Sequence, residues 1–348
     1  MVFNLRSFSS TESVEGDPTR PKSFSLKELR VATDNFSSNN FIRYDLYGKV
    51  YRGRLANGSL VAVKRSSFDN RQSEQDFEAE VQVGSTVSTH PNVLCLMGFC
   101  RTKKELLLVY PFMINKTLSY NLRERPDRFA RPLDWTTRKQ IALGAARGLA
   151  HLHNQGNIKI MHRNIRASSI LLNVHFEAVI GGFSLAFIKH EKNVEEDVYI
   201  QGTTGFTAPE YINTGKCTPK NDVFAYGKML LELISGQLIY LDDGNGNFFC
   251  LENWTRKHMN EDQLGRVIDP NLQGNYVEEE AERLVRLALL CAQRDASVRP
   301  EMSEVVRMLE TQFLQRDPST SSSLSQSECD SAPNYSCPPS PSPLGIAP

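Results

Sequence analysis

Residues 223–234, Val-Phe-Ala-Tyr-Gly-Lys-Met-Leu-Leu-Glu-Leu-Ile, constrain the fold more than any other stretch of this chain. As a helix they are apolar nearly all round and offer no polar stripe to water, which marks a helix buried in the middle of a domain. Such a helix has to be wrapped by other elements, and a chain of 348 residues has the material for that. Length alone suggests roughly two domain-sized units. The neighbours are also helical in pattern: Ile141, Ala145, Leu149 and Leu152 recur at a spacing of three or four, as do Leu284, Leu287 and Cys291. The first third reads differently. Runs 50–55 and 59–64 are β-rich and joined by Ala56-Asn57-Gly58, and Asn-Gly is a strong hairpin signal. Residues 70–83 predict one helix with Phe77 and Val81 four apart, and 105–110 predict a further strand. A small β-rich lobe followed by a larger helical lobe is α+β architecture with a cleft between the two.

The ends differ from the middle. Residues 1–22 are rich in Ser, Thr and charge with no apolar period, and are expected to be a disordered lead. From Asp317 the chain becomes a Ser/Pro tail, residues 317–348, too poor in apolar side chains to offset its ordering entropy. The folded part is then 23–316, with the small lobe at about 23–113 and the large one at about 114–316. Ser340 and Ser342, each before Pro, are weak candidates for phosphorylation of the tail. Forty Lys+Arg balance forty Asp+Glu, so no net field recruits nucleic acid or an anionic membrane. The apolar run 106–114 has about nine residues, against about 18 for a membrane span. No secretory signal opens the sequence, and Val2 stands where N-myristoylation requires glycine. The seven cysteines form no Cys-x-x-Cys pair, which argues against a zinc cluster or disulfide framework. These features predict a cytoplasmic protein with no direct membrane span.

Six short motifs follow one another in a telling order: Val61-Ala62-Val63-Lys64, His162-Arg163-Asn164, Gly182-Phe183-Ser184, Ala208-Pro209-Glu210, Asp222 and Arg299. In order and spacing they resemble a protein kinase domain. The resemblance covers residues 24–313. It is strongest to the cytoplasmic domains of plant leucine-rich-repeat receptor kinases of the somatic embryogenesis receptor kinase group, through phrases at 24–36, 107–111, 122–126 and 302–310. It implies a bilobal kinase fold.

The chemistry that the resemblance implies is damaged. A kinase Gly-rich loop lets backbone N–H groups approach phosphates. The corresponding residues 42–50 keep only Gly48, with Arg43 and Asp45 at the first two glycine positions, and a carboxylate there would repel a triphosphate. The catalytic base, an Asp in active relatives, is Asn164, and the magnesium-binding Asn of the same loop is Ser169. A neutral amide is no useful base near pH 7, and losing a positioned base costs about 10²–10⁴ in rate. The principal magnesium ligand falls at Gly182, which has no ligand atom, whereas magnesium normally takes one or two carboxylates from a protein. Arg166 replaces the usual Lys of the loop. Retained are Lys64 with its expected helix partner Glu80, and Val50, Ala62 and Leu171, which would sandwich adenine.

Other positions match fold devices. His162 and Phe183 fall in the apolar column that links the lobes, with Leu96 above. Four residues after Glu80 on the same helix is Gly84, whose missing side chain predicts a gap and an open or mobile helix. Arg163 is expected near the activation segment, where Glu196 and Asp197, followed by Val198, could imitate a phosphate; a solvated acidic loop is the alternative. Glu210 and Arg299 match an ion pair at the end of that segment, and Asp222 a residue that binds the catalytic-loop backbone. His151 and His153 have no carboxylate or Cys near in sequence and read as helix surface or core. The expectation is a receptor-like cytoplasmic pseudokinase that binds receptor-like kinases or their substrates, reaching the plasma membrane only through a partner. It would need no cofactor: ATP is expected weakly if at all, and magnesium not. The alternatives are an atypical Ser/Thr kinase that still transfers the ATP γ-phosphate, and a decoy that mimics a receptor kinase.

Overall fold

The computed structural model describes residues 21–45, 48–67, 71–125, 132–190, 199–242 and 248–314. Strand β1 (Lys22–Ser23) is followed by helix α1 (Leu26–Ala32), which starts in a capping box: Glu28 N–H donates to Ser25 Oγ at 3.2 Å and Ser25 N–H to Glu28 Oε2 at 2.7 Å. Strands β2 (Phe41–Asp45), β3 (Gly48–Arg54) and β4 (Leu60–Ser67) lead to helix α2 (Arg71–Thr86), then to β5 (Gly98–Arg101) and β6 (Glu105–Pro111). They form one six-stranded sheet in the order β1-β5-β6-β4-β3-β2. Only the β1–β5 pairing is parallel, with Lys22 opposite Gly98, so Lys22 belongs to the sheet and not to the lead. The β3–β4 hairpin turns at the expected Asn-Gly, with Arg54 opposite Leu60 and Gly58 at φ +86°.

Side chains of this sheet alternate between two covered faces, as the two-residue period of a strand dictates. Val61, Val63, Leu107 and Val109 join Leu29 and Phe36 beneath α1. Leu106, Leu108 and Tyr110 join Phe77 and Val83 of α2 in the larger core. That is why 105–110 reads as a continuous apolar run rather than an alternating one. Periodicity missed β1, α1, β2 and β5, each too short to show a period of its own.

The second lobe is helical. Its elements are α3 (Trp135–His153), strands β7 (Ile158–Met161), β8 (Ile170–Leu172), β9 (Ala178–Ile180) and β10 (Phe187–His190), and helices α4 (Pro209–Thr214), α5 (Pro219–Ser235), α6 (Leu251–Asn260), α7 (Leu264–Val267), α8 (Glu278–Cys291) and α9 (Met302–Leu314). Helix α5 is the expected central helix: every residue from Asn221 to Ser235 is buried. Thr218 and Asn221 make its capping box, and Gly236 at φ +70° ends it. Short strand pairs β7–β10 and β8–β9 frame two connections, 162–169 and 181–186, and set them at the cleft. No helix among the described residues is long and apolar enough to cross a membrane.

One expectation fails here. Gly84 leaves no gap, because Leu96 occupies the space: a Cβ on Gly84 would lie 2.5 Å from Leu96 Cβ. Leu96 is buried, and α2 stands closed against the sheet, not open. The missing side chain is what lets the two backbones approach. Gly84→Ala is therefore expected to destabilise the fold. Overpacking costs about 1–3 kcal/mol, more than the roughly 1 kcal/mol that helix propensity returns. A thermal melt of Gly84→Ala, alone and with Leu96→Ala, checks this: the cost of the alanine should shrink when Leu96 is truncated.

Candidate functional site

The cleft encloses a cavity of about 510 Å³, within the range of about 300–1,000 Å³ common for small-molecule sites. Val50, Ala62, Lys64 and Leu171 all line it, together with Tyr110 and Met113. Strands β3 and β4 bring the first three together, and β8 supplies Leu171.

At its buried end the Lys64 ammonium sits between two carboxylates, 2.7 Å from Glu80 Oε1 and 2.7 Å from Asp45 Oδ2. The Tyr110 hydroxyl donates to the other Glu80 oxygen, Oε2. Burial alone would push the Lys64 ammonium down; the Glu80 and Asp45 carboxylates outweigh it and hold the group above its ordinary range. Asp76, one helical turn before Glu80, is a further carboxylate and, like Glu80, buried. Its Oδ1 accepts from Gln72 at 2.8 Å, while Oδ2 has no donor among the described residues, and burial pushes its carboxyl up.

Asp45 is thus a partner of the catalytic-type lysine, brought to it by the pairing of β2 with β3, which sets Asp45 opposite Gly48. Gly48 itself answers to packing, since a Cβ there would lie 2.6 Å from Arg65 O and Ser66 Oγ of β4. The charge of Asp45 was visible in the sequence, but its partner depends on strand register. Tyr110 and Asp76 were missed because each lies in an ordinary strand or helix pattern.

The loop 162–169 hangs from α5. Asp222 accepts from His162 N–H at 2.7 Å and Arg163 N–H at 2.8 Å, and its Oδ2 lies 2.9 Å from His153 Nε2. His153 therefore has a carboxylate partner, contributed 69 residues away. Burial would raise the Asp222 carboxyl, but its bonds to His153 and the His162 backbone hold it below the usual carboxylate range. The His162 ring reaches Gly181 O at 3.0 Å and packs edge-on to Phe183 at 5.2 Å, and burial lowers its affinity for a proton.

The positions that carry chemistry in kinases are occupied with one another. Asn164 Oδ1 accepts from Thr203 Oγ1 at 2.7 Å. Ser169 Oγ donates to Arg166 O at 2.8 Å and accepts from Arg166 N–H at 3.0 Å, so its hydroxyl is folded back on its own loop. Arg166 Nε is buried without a partner among the described residues. Gly182 has φ +81° and open space where a side chain would point. The described residues hold no cluster of three or more His, Cys, Asp or Glu able to bind a metal. Magnesium seeks hard oxygen ligands; Gly182 supplies none, and the Ser169 hydroxyl is already engaged.

Arg163 spans to the activation segment through neutral acceptors: Gln201 Oε1 at 2.8 Å, Tyr211 OH at 3.1 Å and Tyr199 O at 3.3 Å. Glu196, Asp197 and Val198 lie outside the described residues. Glu210 and Arg299 form a two-pronged pair at 2.6 and 2.8 Å, with the Arg299 side chain fully buried.

Comparison with known sequences agrees with this geometry. The family model described as protein tyrosine and serine/threonine kinase matches residues 39–309. A probable LRR receptor-like serine/threonine-protein kinase of Arabidopsis thaliana is 45% identical over 297 residues, covering 84% of this chain and 48% of that protein. LRR receptor kinase SERK2 of Oryza sativa subsp. japonica is 43% identical over the same length, with the same coverage. The chain spans about half the length of the curated relatives it matches.

The buried network makes an energetic prediction. Lys64→Met leaves Glu80 and the part-buried Asp45 without their counter-charge and should cost about 3–5 kcal/mol. Asp45→Asn keeps the Lys64–Glu80 pair, and with the Asp45 side chain 26% exposed it should cost at most about 1 kcal/mol. Denaturant unfolding of both variants tests that order.

Proposed function

Because the chain belongs to the protein tyrosine and serine/threonine kinase family, and its relatives include LRR receptor kinases, we propose that it is a receptor-like pseudokinase: a kinase fold that transfers no phosphate and acts by binding receptor-like kinases or their substrates. The observation that carries the reading is the pairing of Lys64 with Asp45. In an active kinase that lysine supports the nucleotide's phosphates; in this chain its ammonium is held by two carboxylates of the protein itself. Three further features support the proposal. Asn164 presents a neutral amide oxygen that already accepts from Thr203. The Ser169 hydroxyl is spent on Arg166. Gly182 offers no carboxylate, which withdraws several kcal/mol of charge stabilisation from a phosphoryl-transfer transition state.

The scaffold on which such a protein would rely is complete. The Asp222 bonds to the loop, the Glu210–Arg299 pair and the His162–Phe183 contact are all formed. A binding protein needs those surfaces held in place, and it needs no phosphate site. Its place of action is the cytoplasm, at the plasma membrane only when a partner takes it there.

The test is autophosphorylation and transfer to a generic Ser/Thr substrate with ATP and magnesium. No incorporation above background is expected from the unmodified protein, set against about 1–100 s⁻¹ for kinases. The variant Asn164→Asp/Ser169→Asn/Gly182→Asp should remain as inert while Asp45 is present, and gain activity when Asp45→Gly is added. Incorporation by the unmodified chain that disappears in Lys64→Met would falsify the reading and identify an atypical Ser/Thr kinase.

A further inference from the structure

A cleft that cannot serve phosphate is not thereby empty of chemistry. Its walls are apolar and close, with Val50 and Ala62 on the sheet side and Leu171 on the other. That is the geometry for a flat ring system, whose faces need apolar contact and whose edge needs hydrogen bonds. The connection after β6 offers such an edge. Met113 lines the cavity, its N–H has no acceptor among the described residues, and its carbonyl already accepts from Lys116 N–H at 3.1 Å. A ring nitrogen with a lone pair would satisfy that donor. At the mouth stand polar side chains, Glu124 and Ser168 among them, of the type that pairs with sugar hydroxyls.

The charge at the inner end decides what the ring can carry. Asp45 and Glu80 flank Lys64 at 2.7 Å, and Asp76 lies one turn before Glu80. Two carboxylates face one ammonium there, with Asp76 buried a turn behind Glu80, so a phosphate entering beside Lys64 meets like charge and must displace Asp45 to gain a counter-ion. Magnesium, which relieves such repulsion in other sites, finds neither a side chain at Gly182 nor a free hydroxyl at Ser169. The cations at the rim, Arg43, Arg52 and Lys116, are exposed and therefore screened, and Lys116 already rests over the Tyr120 ring at 3.7 Å.

We propose that the cleft binds an uncharged purine nucleoside in preference to any of its phosphates, and does so without a divalent cation. The inference rests on the pseudokinase reading above, and deepens it by naming what the same cleft accepts. Asp45 is the specificity determinant, acting through Lys64.

The experiment is isothermal titration of the full chain with adenosine, AMP and ATP, each with and without magnesium, in the unmodified protein, Asp45→Asn and Asp45→Gly. Adenosine should bind at least tenfold more tightly than ATP, and magnesium should change neither. In both Asp45 variants ATP affinity should rise by tenfold or more while that of adenosine moves less than threefold. The asparagine variant preserves the side-chain shape and guards against a folding failure of the glycine variant, with a thermal melt of each as control. AMP or ATP binding the unmodified chain as tightly as adenosine overturns the proposal, as does the absence of adenosine binding at millimolar concentration. Either result, obtained with a chain that shows no phosphoryl transfer, removes this inference alone. Phosphoryl transfer by the unmodified chain removes the pseudokinase reading as well.

Discussion

Helix α5 is buried along its length and yet carries Asp222, Lys228 and Glu232, and the rest of the large lobe is organised by the need to pair them. A charge taken out of water without a partner would cost far more than any single contact returns. Lys228 pairs with Glu252, which Arg256 also holds at 2.9 Å, and so α6 is tied across α5. Glu232 takes Arg123 at 3.3 Å and the Ala167 N–H at 3.3 Å. Asp222 takes two backbone N–H groups and His153. Two of the three polar groups therefore reach the loop 162–169, and the central helix sets that loop's position whether or not any chemistry happens there.

This separates support from reaction. The supporting residues bond to backbone or to buried counter-charges at each end of the activation segment: Asp222 below the loop, Glu210 with Arg299 beyond it. The reacting positions bond to each other's neighbourhood instead, Asn164 with Thr203, Ser169 with Arg166, and Lys64 with Asp45. A site built to receive a charged substrate leaves its donors and acceptors aimed at where charge will develop. Here Asn164, Ser169 and Lys64 are engaged in the free protein, and a charged ligand would first have to break those bonds.

Much of this is legible in the amino-acid sequence. Two β-rich runs joined by Asn-Gly locate β3, β4 and their hairpin. All-round apolarity located α5, and the motif order brought Val50, Ala62, Lys64 and Leu171 to one cavity. What stayed hidden depends on contacts between residues distant in the chain. His153 looked unpartnered because Asp222 is 69 residues away. Lys22 looked like part of a loose lead because a two-residue strand has no period to show. Asp45 read as a repulsive charge, and only the register of β2 with β3 reveals it as a partner of Lys64.

Gly84 shows the same limit in a sharper form, because in the sequence a missing side chain looks the same whether it leaves a gap or permits close contact. Whether a glycine means space or its opposite depends on what faces it. At Gly84 and Gly48 the neighbours stand at 2.5 and 2.6 Å from where a Cβ would be, so glycine is imposed by close packing. At Gly182 nothing stands within 4 Å, and φ +81° is a conformation that an Asp tolerates better than most residues. Packing therefore does not exclude a carboxylate from the metal-ligand position. Electrostatics weighs against it: a carboxylate there would add an anion to a cavity that Asp45, Glu80 and the single ammonium of Lys64 already line. With magnesium to neutralise it that charge is the basis of a kinase; beside Asp45, which already claims the lysine, it is a third anion in the same cavity. Asp45 and Gly182 line the same cavity as Lys64, so what a carboxylate does at either position depends on the charge already placed at the other.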